Sequence, residues 1–99
     1  MENITQLKTI GNSLGLIREM YILKFNDLRE FKGSIRRDGK ERNFNLKNIS
    51  AVEISPKGVF FIENHSIKGT NLKLEELIKL DGNLLADETQ FQDFNIKEV

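Results

Sequence analysis

The sequence predicts a single α+β domain that is mostly an antiparallel β meander, with one α-helix near residues 72–81. Two observations carry this prediction: the pair Asp38-Gly39 lies between two runs of alternating polarity, and residues 55–58 separate two further apolar runs. Runs joined by tight turns are typical of neighbouring antiparallel strands. A meander of this kind can also curl into a small barrel.

The composition limits both the core and the available chemistry. The chain has 99 residues, 38% of them hydrophobic, which suits one domain over residues 1–99. Cysteine is absent, which excludes disulfides and thiol chemistry and fits a reducing compartment. The N-terminus is polar and no apolar run approaches the roughly 18 to 20 residues that span a bilayer. We therefore expect a cytoplasmic protein with no membrane partner.

Near the N-terminus the pattern is weaker. Residues 3–8 alternate in polarity and predict a first strand, which Gly11-Asn12-Ser13 would close as a turn. Residues 16–31 fit either an amphipathic helix or a strand covered on both sides. The run MYILKF is rich in aromatic and branched types and favours the strand.

The central hairpin is the best-defined feature. Asp38-Gly39 favours a two-residue type I′ turn, which needs positive φ at both positions. Pairing Arg37 with Lys40 then gives one polar face and one face that becomes apolar away from the turn. The polar face would pair Arg36 with Glu41, Ser34 with Asn43 and Lys32 with Asn45, and the other face Ile35 with Arg42, Gly33 with Phe44 and Phe31 with Leu46.

Two more strands follow the hairpin. Apolar residues over 49–54 lead into residues 55–58, where Pro56 and Gly58 occupy positions that favour a type I turn. The run VFFIE then returns as another strand. This gives a meander of four or five antiparallel strands.

The last third of the chain predicts the helix and a tail. In residues 70–82, Thr70 or Asn71 would cap the helix and Gly82 would end it. Residues 83–99 carry four acids and one base. This acidic segment would add a final strand or a docked tail through its apolar residues Phe91, Phe94 and Ile96.

Residues for catalysis are sparse. The one histidine, His65, follows the VFFIE run and is expected to be a turn or surface residue. Glu75 and Glu76 are adjacent on the predicted helix, so they cannot face each other as a carboxylate pair. No spacing of histidines and carboxylates suits zinc. We expect a protein that is not an enzyme, with no catalytic residue, metal or cofactor.

Charge is balanced over the chain but not along it. The 15 basic and 15 acidic residues cancel, whereas residues 29–47 carry seven bases and three acids, a net charge of +4. Clustered Lys and Arg on a β-hairpin predict contact with nucleic-acid phosphates. The seven bases are Arg29, Lys32, Arg36, Arg37, Lys40, Arg42 and Lys47. The alternative is an ordinary charged hairpin with Phe31 and Phe44 in the core, and the predicted register supports that placement of both rings.

The segment GNSLG, followed by Leu16, Ile17 and Arg18, resembles the Gly-Asn-Ser loop of the swapped-hairpin antitoxins of the AbrB and MazE type. The resemblance covers about ten of the 99 residues, and no proline follows Arg18 as it does in that family. It implies a small dimeric regulator that binds operator DNA. Lys8 and Arg18 would then be phosphate or base contacts.

These observations predict a small regulatory protein that binds RNA or DNA through the basic hairpin, helped by Lys8 and Arg18. The alternative is a protein-interaction module or a homodimer. It would pair through a strand edge or through the apolar C-terminal tail.

Overall fold

The computed structural model describes residues 2–17, 19–56, 58–66 and 68–93, and the side chains of residues 3–10, 20–56, 58–66 and 68–89. One α-helix is followed by a series of strands. The elements are α1 (Glu2–Ile17), β1 (Glu19–Arg37), β2 (Lys40–Ser55), β3 (Gly58–Glu63), β4 (Gly69–Leu72), a 3-10 turn (Leu74–Glu76), β5 (Leu77–Asp81) and β6 (Glu88–Asp93).

The strands form one antiparallel sheet in the order β4-β3-β2-β1-β5, and β6 also pairs with β1. The predicted fold class, an antiparallel meander with one helix, is confirmed. The barrel alternative is wrong, because β4 and β5 lie at opposite ends of the strand order and the sheet stays open.

The long strand β1 holds the sheet together. One of its edges pairs with β2, while the other pairs first with β6, over residues 19–24, and then with β5, over residues 32–35. Register shifts between Lys24 and Phe31 interrupt the pairing with β2. Bulges of this kind bend a strand and increase its twist, so β1 can pair with β6 in one half of the sheet and with β5 in the other.

The predicted hairpin register is confirmed at all seven pairs, from Arg37↔Lys40 to Phe31↔Leu46. Both turn residues have positive φ, 54° at Asp38 and 74° at Gly39, as a type I′ turn requires. Phe31 is fully buried and Phe44 packs partly buried against the core. The placement of both rings on the apolar face is therefore confirmed.

The predicted N-terminal strand and turn are wrong, because residues 2–17 form α1. Ile4 and Leu7 are three residues apart and both are buried in the core, which is the spacing of one helix face. Packing of this face against the sheet overrides the poor helix propensity of two glycines. The strand alternative for residues 16–31 is confirmed from Glu19 onward.

The predicted helix near residues 72–81 is also wrong. Its residues form the end of β4, the 3-10 turn and β5. A register shift beside Ser34 pairs Ile35 with Leu77 and Gly33 with Leu80, so both leucines reach the core although they are three positions apart in the sequence. A bulged strand can therefore show the apolar spacing of a helix.

β3 lies where the VFFIE run predicts a strand. The connection of β2 to β3 lies at Pro56 and the following residue, with Ser55 paired to Gly58. Residue 57 lies outside the described residues, so the turn type stays a prediction. For residues 83–99 the prediction was a final strand or a docked tail, and the described part of this segment contains β6 (Glu88–Asp93). Phe94 and Ile96 lie outside the described residues.

The core joins the helix to the sheet. Phe31 and Phe61 are fully buried with ring centroids 5.3 Å apart and planes tilted by 56°. Such tilted aromatic pairs add to the stabilisation from burial. Ile4 and Leu7 of α1 belong to the same buried cluster.

We predict that Leu7→Ala lowers the free energy of unfolding by about 2–5 kcal/mol, because it removes a fully buried side chain from the helix–sheet contact. The neighbouring Lys8 is exposed, so Lys8→Ala is the matched control and should change the stability little. Urea unfolding of the two variants measures the difference. Equal stability of both variants would show that α1 does not pack on the sheet.

Candidate nucleic-acid interface

The end of the β1–β2 hairpin extends past its neighbours in the sheet. β5 pairs with β1 no further than Ile35, and β3 pairs with β2 only from Ile49 onward. We call residues 36–42 the hairpin tip, and all seven of them are exposed. The tip is thus a two-stranded ribbon whose two outer strand edges pair with no other described strand, because β1 and β2 continue to the type I′ turn beyond the rest of the sheet.

Residues opposite each other in an antiparallel pair lie on the same face, so the register sorts the charges of the tip. Arg42 lies opposite Ile35, and Lys40 lies opposite Arg37. Ile35 is buried in the core, so Arg37, Lys40 and Arg42 share the core-facing side.

Among the described residues, Arg37 has one carboxylate partner on this side. Its Nη2 lies 2.9 Å from Oε2 of Glu76, and its Nε donates to the same oxygen at 3.1 Å. The Arg37 side chain is still 48% exposed. Three cations and one carboxylate give the core-facing side of the tip a net charge of +2.

On the opposite side of the hairpin, most of the charges are paired. Arg36 lies opposite Glu41, four more charges form two ion pairs, and Lys47 leaves a net charge of +1. These pairs are Lys32 with Glu30 at 3.2 Å and Lys79 with Asp81 at 3.4 Å. A phosphate would therefore meet repulsion as well as attraction on this side.

Arg29 is used within the fold. Its guanidinium lies 4.0 Å from the ring centroid of Phe25, and its Nη2 lies 3.2 Å from Oδ2 of Asp87. Its Nη1 donates to the carbonyl oxygens of Asn83 and Leu85. With its side chain only 16% exposed, Arg29 fastens residues 83–87 to the bend of β1 and lies outside the tip.

The other predicted contacts lie apart from the tip. Lys8 is exposed on α1, and Lys47 lies at the far end of the exposed part of β2. Arg18 lies outside the described residues. Of the nine predicted residues, the structure brings Arg36 and the three cations of the core-facing side together at the tip.

The sequence did not predict the contacts of two carboxylates, Glu76 and Asp87, with the arginines of β1. Glu76 was expected on a solvated helix turn, and its 3-10 turn instead brings it to Arg37. Asp87 is 58 residues from Arg29, so only the folding of the chain reveals the pair. His65 is confirmed as an exposed turn residue, with φ 60° and its backbone N–H donating to Oγ of Ser50.

The carboxyl group of Glu53 in β2 is partly buried. Burial raises the pKa of Glu53 above its ordinary value. Glu53 lies on the sheet face that carries the buried cluster of Met20, Ile22 and Ala51, and it is directly opposite Ile22. Within the described ranges, no group of three or more His, Cys, Asp and Glu side chains could hold a metal ion.

Comparison with family models, curated proteins and solved structures finds no match for this chain. The resemblance to the AbrB and MazE antitoxins thus stays a prediction. The backbone of the GNSLG segment lies in α1, whereas the resemblance implies a loop between two strands. In the part of the chain that the structure describes, no helix is long and apolar enough to cross a membrane.

We predict that Arg29→Gln lowers the free energy of unfolding by about 2 kcal/mol, because charge-assisted hydrogen bonds to residues 83–87 are lost. The amide of Asp87, which donates to the carbonyl of Lys24, should exchange its hydrogen faster. Urea unfolding and hydrogen exchange measure both effects. Lys32→Gln is the control, since this side chain is 60% exposed. An unchanged stability of Arg29→Gln would contradict the proposed fastening role.

We predict that Glu53→Gln is more stable than the wild type at pH 7.5 and about equally stable at pH 4. Burial favours the neutral carboxyl group, so the folded state holds this proton more tightly than the unfolded state. That stabilisation is present at low pH and is lost as the pH rises through the folded-state pKa. Thermal unfolding at both pH values measures the difference, with exposed Glu63→Gln as the control. A difference independent of pH would contradict this account.

Proposed function

We propose that this protein is a small cytoplasmic regulatory protein, without enzymatic activity, that binds the phosphate backbone of nucleic acid through the core-facing side of the hairpin tip. The observation that carries the proposal is the convergence of Arg37, Lys40 and Arg42 on one side of an exposed ribbon. Clustered Lys and Arg supply the sequence-independent part of nucleic-acid affinity by releasing counterions.

The pairing of Arg37 with Glu76 suits this role. Glu76 holds the guanidinium in place before any ligand is bound. Because the Arg37 side chain is 48% exposed, a phosphate can approach its guanidinium from the solvent while Glu76 stays in contact with it. Arginine also binds phosphate oxygens in the same two-pronged geometry as a carboxylate.

The shape of the tip favours duplex DNA. A two-stranded ribbon fits the major groove of B-form DNA, which is about 12 Å wide, whereas the major groove of A-form RNA is too narrow for side chains to enter. No strand in the described part of the chain pairs with either edge of the tip, so none blocks such an approach. We therefore expect duplex DNA to bind more tightly than duplex RNA.

We predict that Lys40→Ala/Arg42→Ala weakens binding to duplex DNA at least tenfold. With three phosphate contacts, the slope of log K against log salt should be about −2.7 for the wild type and about −0.9 for the variant. Fluorescence anisotropy with labelled duplex DNA, duplex RNA and single-stranded RNA at several salt concentrations measures both quantities.

The matched control is Lys32→Ala/Lys79→Ala, which also removes two cations, but ones that are each paired with a carboxylate on the opposite side. It should leave the salt slope close to that of the wild type. Equal losses in the two double variants would show that net charge, and not the tip, determines binding. No binding of any of the three nucleic acids at about 100 μM protein would overturn the proposed function.

A further inference from the structure

Part of β2 is an exposed strand edge. β2 pairs with β1 along its length, but β3 pairs with it only from Ile49 onward. A backbone hydrogen bond from Asn64 to the carbonyl of Asn48 is the last contact on that side. We call residues 40–47 the free β2 edge, because no other described strand pairs with their outer side.

The alternation of hydrogen-bonded and non-bonded residue pairs in the hairpin determines which backbone N–H and C=O groups of the free β2 edge point away from β1. Arg37 and Lys40 flank the two-residue turn and so exchange hydrogen bonds with each other. In an antiparallel pair, bonded and non-bonded residues alternate. Residues 41, 43, 45 and 47 therefore direct their N–H and C=O groups away from β1, toward a strand that could be added.

We propose that a second copy of this chain pairs with the free β2 edge in antiparallel orientation, about a two-fold axis at Phe44. This inference goes beyond nucleic-acid binding and concerns another surface of β2. In this register Glu41 lies opposite the partner's Lys47, and Lys47 lies opposite the partner's Glu41. The four pairs of outward-facing residues would exchange about eight backbone hydrogen bonds.

The side chains of the edge complement themselves in this register. Two opposite-charge pairs form on the face that carries Glu41, and Asn43 meets the partner's Asn45 between them. On the core-facing side, Phe44 lies opposite the partner's Phe44, and cross-strand aromatic pairs are favourable. Phe44 and Leu46 are only partly buried in the single chain, so the pairing would also cover apolar surface.

Neighbouring registers lose this complementarity. Residues whose backbone groups point away from β1 must lie opposite each other in the two copies, so the register can shift only in steps of two residues. An axis at Asn43 places Glu41 opposite the partner's Asn45. An axis at Asn45 places Lys47 opposite the partner's Asn43. The axis at Phe44 alone joins Glu41 to Lys47 and uses the whole edge from residue 41 to residue 47.

One strand edge buries less than the roughly 1,200 Å² of a standard interface, so we expect a reversible dimer that forms between micromolar and millimolar concentration. Sedimentation equilibrium without nucleic acid should show a concentration-dependent rise from the monomer mass of 11.4 kDa to twice that value. A mass that stays at the monomer value up to about 1 mM would overturn the proposal.

Charge reversal tests the register. Glu41→Lys and Lys47→Glu each place like charges opposite each other twice in the dimer, so each should weaken dimerisation at least tenfold. Glu41→Lys/Lys47→Glu restores opposite pairs and should recover the dimer, which a merely misfolded variant would not do. Glu75→Lys, an exposed reversal in the 3-10 turn, is the control and should leave the dimer intact. If neither single reversal weakened dimerisation, or if the double reversal did not restore it, the interface would lie elsewhere on the protein.

This experiment is separate from the test of nucleic-acid binding. Mass is measured without DNA, so a dimer can be found even if DNA does not bind. In turn, Lys40→Ala/Arg42→Ala keeps both Glu41 and Lys47 and should still form the dimer. The failure of either proposal is therefore visible without the other.

Discussion

The bend in β1 is the constraint on which the rest of the structure depends. Along one edge of this 19-residue strand, β6 pairs with residues 19–24 and β5 with residues 32–35. The register shifts between Lys24 and Phe31 allow the bend, and Arg29 stabilises it by holding residues 83–87. Immediately after the bend, Phe31 enters the core and meets Phe61.

Unequal strand lengths follow from this arrangement and create both proposed surfaces. β1 and β2 have 19 and 16 residues, whereas β3 and β5 have six and five. The longer strands extend past their neighbours at the turn, which exposes the hairpin tip, and β2 also extends past β3, which exposes its edge. Charged residues are suited to both places, because they keep an exposed ribbon hydrated and oppose indiscriminate strand pairing. In the proposed dimer, the charges of the free β2 edge also select one pairing register.

The fold uses the basic residues of the hairpin in different ways. Arg29 is enclosed by carbonyl oxygens and a carboxylate, Arg37 is paired but accessible, and Lys40 and Arg42 are exposed. A count of charges along the sequence treats all of them alike. Their accessibility depends on residues 76 and 83–87, which are brought to the hairpin only by folding.

The sequence by itself determined the features that depend on neighbouring residues. A type I′ turn at Asp38-Gly39 and the two-residue period of a strand were enough to predict every pair of the hairpin, and similar local signals located β3 and the turn at His65. Tertiary structure alone decided α1, β5 and the role of Arg29. Residues 3–8 alternate weakly but become helical because Ile4 and Leu7 can then reach the sheet together. Leu77 and Leu80 have helical spacing, yet a bulge beside Ser34 brings both to the core from a strand. In each case the burial of apolar side chains against distant residues outweighed a local preference of a few tenths of a kcal/mol per residue.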